Sequence, residues 1–189
     1  AIPGYLTGHW SWAQPLPVVA LKQIKQLRQT GLTLTDWRML DHQQQPIGEH
    51  EWLIQNIQRD QTKATLVLLP QNGPKDQPQV EWTDIDGWQR WRTDQYHSTQ
   101  FAVEPSQVSG TTTPVQVEAR FFRGWNDQQT FAVLQWYAQP RGGHPAPVRW
   151  FLADQMAQWH STRVPWVAVS IMIPIEPLGE VEKAWPLAQ

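Results

Sequence analysis

The sequence contains no cysteine. That absence removes thiol nucleophiles, thiolate metal ligands and disulfides together. It says nothing about compartment, because a cysteine-free chain is compatible with either side of a membrane. Charge is scarce as well. Asp, Glu, Lys and Arg make up 17% of the residues, below the usual quarter, and 15 basic residues against 17 acidic ones leave a net charge of −2. Nucleic-acid binders ordinarily carry a basic excess, so no nucleic-acid partner is expected. No stretch approaches the ~18 consecutive apolar residues of a membrane span. The first residue is Ala1, not Met, so an upstream signal peptide, anchor helix or tag is expected to have been removed.

What the chain has in excess is tryptophan, 13 in 189 residues. A Trp buries roughly 150–250 Å² and carries an N–H that wants a partner. Such a load implies either a very aromatic core or an aromatic surface that grips something. Glutamine fills the place of charge, as in Gln43-Gln44-Gln45, but it is interleaved with apolar residues and forms no long tract.

Along the chain, residues 1–17 read as an extended lead-in rich in Trp, Pro and Gly. Residues 18–29 place Val18, Leu21, Ile24 and Leu27 near helical spacing, with Gly31 as a stop. Residues 37–41 and 51–57 read as paired strands around a turn at 46–48. The run TLVLL at 65–69 has the pattern of a buried central strand, and the proline-rich 70–78 is a loop. Trp88 and Trp91, three apart, are expected to share one face of a helix opened near Thr83 or Asp84. Residues 101–103 form a further strand and 105–114 a Ser/Thr-rich link. Residues 115–122, with Val115, Val117, Ala119 and Phe121 on one face, turn at 123–127 and return as 130–138, a β-hairpin. After a glycine-bearing loop at 140–145, residues 147–160 predict an amphipathic helix with Trp159 on its apolar face. Residues 165–175 form the last strand. Together these predict an α+β fold over residues 18–189, one domain with a mainly antiparallel β-sheet covered by helices.

Chemistry is harder to find. There is no Gly-x-Ser-x-Gly elbow, and Ser109-Gly110 lies in a Thr-rich loop with no histidine nearby in sequence. The six histidines (His9, His42, His50, His97, His144 and His160) form no His-x-His and no His-Glu-x-x-His, so no metal site is expected. His42 and His50 flank the first hairpin and are expected to be exposed strand-end residues, although they could face each other across it. The stretch Asp84-Ile85-Asp86-Gly87 lacks the remaining ligand positions of a calcium loop and reads as a helix start. Arg141-Gly142-Gly143-His144 combines a cation, two flexible backbone amides and a titratable ring, so an anion could dock there. The pattern lacks the lysine and spacing of a P-loop, and its glycines equally suit a tight crossover. Trp136, Trp159 and Trp166 are expected in the core, whereas Trp10, Trp12, Trp88, Trp91 and Trp125 lie where exposure is expected. Such rings either pin loops onto the sheet or stack on sugars, partner proteins or lipid.

Several aromatic-rich blocks carry a resemblance. They are IGEHEW (47–52), LLPQNGPKDQPQVEWTDIDGWQRW (68–91), VEARFFRGWN (117–126), FAVLQWYAQPRGGHPAPVRWF (131–151) and VPWVAVSIMIPIEPLG (164–179). In this order they resemble the exosortase-associated accessory family, in particular the branch associated with the cyanobacterial exosortase B system, over most of the chain. The resemblance implies an accessory protein on the outer, periplasmic side of the cytoplasmic membrane, usually with an N-terminal membrane segment. It would act beside a membrane-embedded exosortase that processes proteins with a C-terminal Pro-Glu-Pro signal, in systems linked to exopolysaccharide. The proteolytic chemistry there belongs to a cysteine of the exosortase, and this chain has none. The family supplies no catalytic residues to carry over.

The expectation is therefore a non-enzymatic extracytoplasmic accessory protein without a cofactor, whose partners are the exosortase or its sorted substrates. Binding falls to Trp88, Trp91, Trp125, Arg141 and His144. A Trp-rich polysaccharide-binding module using Trp88, Trp91 or Trp125 is the alternative. A hydrolase would need a site assembled from distant residues such as His144 and Asp154, with a concave pocket joining nucleophile, base and oxyanion hole.

Overall fold

Apolar runs broken by tight polar turns build most of the chain into strands. The computed structural model describes residues 21–34, 36–73, 76–79, 82–103, 114–139, 142–144, 153, 163–177 and 179–188. The elements in order are α1 (Leu21–Thr30), β1 (Arg38–Ile47), β2 (His50–Arg59), β3 (Thr62–Pro70), α2 (Trp82–Gln89), β4 (Arg92–Val103), β5 (Val115–Trp125), β6 (Thr130–Gln139), β7 (Gly142–His144) and β8 (Val167–Ile175). A 3-10 turn, Val181–Ala184, then runs into one turn of helix, α3 (Trp185–Ala188).

The eight strands form one sheet in the order β1-β2-β3-β8-β6-β7-β5-β4, with β6 also paired to β5. Every pairing is antiparallel except the single β5–β7 bridge. Among the described residues helices are short, so the architecture is mainly β rather than an even α+β mixture. The predicted helix at 147–160, apart from the single helical residue Ala153, and the lead-in at 1–17 lie outside the described residues.

Both faces of the central strands are buried, which is why they read as continuous apolar runs rather than alternating ones. One face carries Trp52 and Ile54 of β2, Val67 and Leu69 of β3, Met172 of β8, Val133 and Tyr137 of β6 and Phe122 of β5. Trp82 and Ile85 of α2 and Trp166 pack against it. The opposite face carries Ile57, Ala64, Ala119, Phe121, Leu134 and Ile173, covered by Val181, Ala184 and Ala188, with Leu53, Leu66, Leu68 and Val169 beside them. Trp166 is core, as expected, and Trp136 is half-buried against Phe101.

Edge strands are long and polar. The glutamine run lies within β1, whose side chains are mostly exposed, and this is why only its first residues look strand-like in sequence. Strand β4 also extends well beyond the expected 101–103, through RTDQYHSTQ, a stretch with no apolar alternation. A bulge between Asp94 and His97 interrupts it, with Gln95 at φ 52°. Charges and a bulge on an edge discourage pairing with another chain. Register sets His42 opposite Gln55 and His50 opposite Ile47, so the two histidines do not face each other.

Buried polar groups fasten the segment after α1. Gly31 ends that helix at φ 72°, its N–H bonded to Leu27 O at 2.9 Å. Gln55, 1% exposed, then accepts from the Leu32 N–H at 2.9 Å and donates to the Leu32 carbonyl at 2.5 Å. One amide side chain thus stands in for a strand partner.

Candidate functional site

Helix α2 is anchored at both ends. Asp84 in its first turn meets His50 Nδ1 at 3.1 Å, joining the helix to the start of β2. At the other end Arg90 takes a left-handed conformation, φ 51°, and its N–H bonds to Asp86 O at 2.9 Å. This is a helix stop made by a residue other than glycine. It also turns Trp91 out of helical register.

Trp91 therefore does not share a face with Trp88. It is 8% exposed and meets Phe122 edge-on at 5.9 Å and Phe131 at 6.3 Å. Its indole N–H donates to Asp86 Oδ1 at 2.9 Å. The expectation that Trp91 offers a stacking surface is corrected: the ring is a core residue that ties the end of α2 to the sheet.

Trp88 and Trp125 are brought together. Both line a depression of about 530 Å³ between the end of α2 and the β5–β6 turn, rimmed by Arg90 and Arg92 and by Asn126, Asp127 and Gln128. Asn126 builds it. Its Oδ1 accepts from the N–H groups of Gln128 at 2.9 Å and Gln129 at 3.0 Å, shaping the turn. Its Nδ2 donates to Gln89 O at 3.1 Å, clamping the turn to the helix.

The walls are half-buried rather than open. Arg123 lies over the Trp125 ring, its guanidinium carbon 5.5 Å from the centroid. That guanidinium donates to both Asp94 oxygens, at 2.8 and 2.5 Å, and to Gly179 O at 3.2 Å. Hydrogen bonding to Asp94 raises Arg123 above the usual arginine range, and burial opposes this more weakly. One face of Trp125 is thus covered by a fixed cation. Among the described residues the exposed large hydrophobics are Leu40 and Tyr96, and no tryptophan joins them.

A second depression, about 510 Å³, shares the Trp88–Gln89 wall. It is lined by Leu40, Ile54, Phe131, Met172 and Pro174, with Asp41, Asn56 and Lys63 at its polar parts. Trp88 is the ridge between the two.

His144 lies elsewhere. Its strand β7 bridges β5 at Val117, and Trp125 is eight residues farther along β5. At ~3.3 Å per residue the two ends are roughly 26 Å apart. His144 lines a separate polar depression of about 380 Å³ with Gln100, Gln116, Glu118 and Gln139. Its Nε2 is 3.3 Å from Glu118 Oε1, and the same oxygen accepts from Ser98 Oγ at 3.1 Å. The serine hydroxyl donates to the carboxylate, whereas a nucleophile–base–orienter arrangement has it donate to the imidazole. Arg141 and Asp154 lie outside the described residues, as do Trp10, Trp12 and Trp159.

Sequence reasoning did not single out Arg90, Arg92 or Asn126. The signal was the Arg-Trp-Arg triplet at 90–92, where the outer residues flank a core ring and so project away from it. Among the described residues no group of three or more His, Asp or Glu side chains could hold a metal ion. No described helix is long and apolar enough to cross a membrane.

The fold is thus a mainly antiparallel β-sheet protein with the Trp88–Trp125 depression at one end of the sheet. No family model matches the chain, and no curated protein or solved structure does so either.

Proposed function

We propose that this chain is a non-enzymatic binding domain, an extracytoplasmic accessory to an exosortase protein-sorting system, and that its contact surface is the depression around Trp88 and Trp125. The sequence resemblance supports the first half. The second half rests on one observation: two tryptophans from different elements line one depression whose walls Asn126 clamps together. Half-buried aromatic anchors surrounded by polar groups are the usual composition of binding hot spots. Co-purification from membranes tests the reading. Full-length protein should retain the exosortase or its sorted substrates, and Trp88→Ala with Trp125→Ala should release them. No association of the unaltered protein sinks the proposal.

A polysaccharide-binding role is the second reading, favoured by the make-up of the same depression. Indole rings stack on sugar faces, while Asn126, Asp127, Gln128 and the two arginines supply the donors and acceptors that hydroxyl groups need. Oligosaccharide titration followed by Trp emission distinguishes the readings, since a surface that takes only protein gives no response.

A further inference from the structure

We infer that the depression at Trp88 and Trp125 takes an anionic glycan, a chain of sugars bearing carboxylates, with the carboxylate held by Arg90 and Arg92. The inference rests on the polysaccharide reading and adds the charge and the length of the ligand.

Charge comes first. The chain as a whole is net negative, at −2, yet this depression sets two arginines against one aspartate. Both arginines are exposed, and neither guanidinium has a partner among the described residues. Arg123, whose guanidinium lies over the Trp125 ring, shows the contrast: Asp94 satisfies it with two hydrogen bonds. Arg90 and Arg92 are spaced around Trp91, whose ring is locked in the core by Phe122, Phe131 and Asp86. The two cations are thus carried on a rigid stem. A planar guanidinium fork matches a carboxylate in a way that a neutral hydroxyl cannot reproduce.

Length follows from Trp88. The ring separates this polar depression from the more apolar one lined by Ile54, Phe131 and Met172. A single sugar fills neither. A chain of several units crosses the ridge, stacking on Trp88 with a charged unit on the Arg90–Arg92 side. Single-stranded nucleic acid also combines stacking with negative charge. It is disfavoured because a nucleic-acid groove follows the backbone with successive cations and stacks successive bases on several rings, whereas the cations here are two rather than a track and Trp88 alone links the two depressions.

The test is titration calorimetry of the whole chain with oligogalacturonate, a neutral galacto-oligosaccharide of equal length, and oligo-dT. Oligogalacturonate should bind tightest and weaken with added salt. Arg90→Gln with Arg92→Gln should weaken it by about tenfold or more, the scale of losing one or two charge-assisted hydrogen bonds, and weaken the neutral sugar far less, because glutamine still offers hydroxyl groups a donor and an acceptor. These exposed substitutions leave the core untouched, and circular dichroism verifies the fold. Equal binding of both sugars, indifferent to the double variant, overturns the anionic inference while the polysaccharide reading stands. No binding of either sugar overturns both. Tighter binding of oligo-dT overturns the choice of glycan.

Discussion

Adding one methyl group at Gly124 should destabilise the protein measurably, because Trp91 has no room to yield. A Cβ built on Gly124 would lie 2.9 Å from Cδ2 and Cε3 of the Trp91 indole, closer than real Cβ contacts come. The ring is 8% exposed, wedged edge-on between Phe122 and Phe131, and its N–H is held by Asp86. Retreat would break that hydrogen bond or displace the end of α2. Overpacking of this kind costs ~1–3 kcal/mol. With an m-value on the order of 2 kcal/mol/M, Gly124→Ala should lower the urea midpoint by roughly 0.5–1.5 M. Far-UV circular dichroism is the suitable probe, since 13 tryptophans blur the emission of any one. Gly87→Ala supplies the opposite sign. It lies inside α2 with nothing within 4 Å of its added Cβ, so the helix gains ~0.5–1 kcal/mol. If Gly124→Ala unfolds at or above the wild-type midpoint, Trp91 is not seated on β5, and the left-handed stop at Arg90 loses its purpose.

Gln55→Leu should cost ~1–3 kcal/mol by leaving the Leu32 N–H and carbonyl without partners, and hydrogen exchange at the Leu32 amide should accelerate. Asn126→Ala removes both turn bonds and the clamp to Gln89, so the Gln128 and Gln129 amides should lose exchange protection together. Asp94→Asn should lower the melting temperature modestly, with the gap to wild type narrowing in high salt. The Arg123 contribution should not vary with pH in the ordinary range. A pKa raised in the folded state stabilises fully below the unfolded value and is lost only as pH climbs above it, which for arginine is far into alkali.

Strong local patterns made much of the sheet legible. TLVLL became β3, the apolar 165–175 run became β8, and the alternation of Val117, Ala119 and Phe121 placed β5 opposite β6. Edge strands were less legible, because β1 and the first two-thirds of β4 bury little and therefore carry no periodic apolar signal. Trp91 misled for a different reason. Its three-residue offset from Trp88 is a helical stripe only if Arg90 is helical, and nothing in the residue type announces that Arg90 turns left-handed. The pairing of Trp88 with Trp125 was likewise invisible locally. It depends on a hydrogen bond between Asn126 and Gln89, 37 residues apart in sequence. His144 was expected in the same binding set, but strand register carries it to the opposite end of β5.

The central claim is that contact is made at the Trp88–Trp125 end of the sheet and not at the His144 end. Site-specific photo-crosslinking in membranes holding the full-length protein tests it most directly, with the probe placed at Gln128 or at Gln116. These positions line the two competing depressions. Crosslinks to the exosortase, its sorted substrates or bound polysaccharide should form from Gln128 and not from Gln116. Crosslinks from Gln116 alone, or from neither position, would contradict the claim.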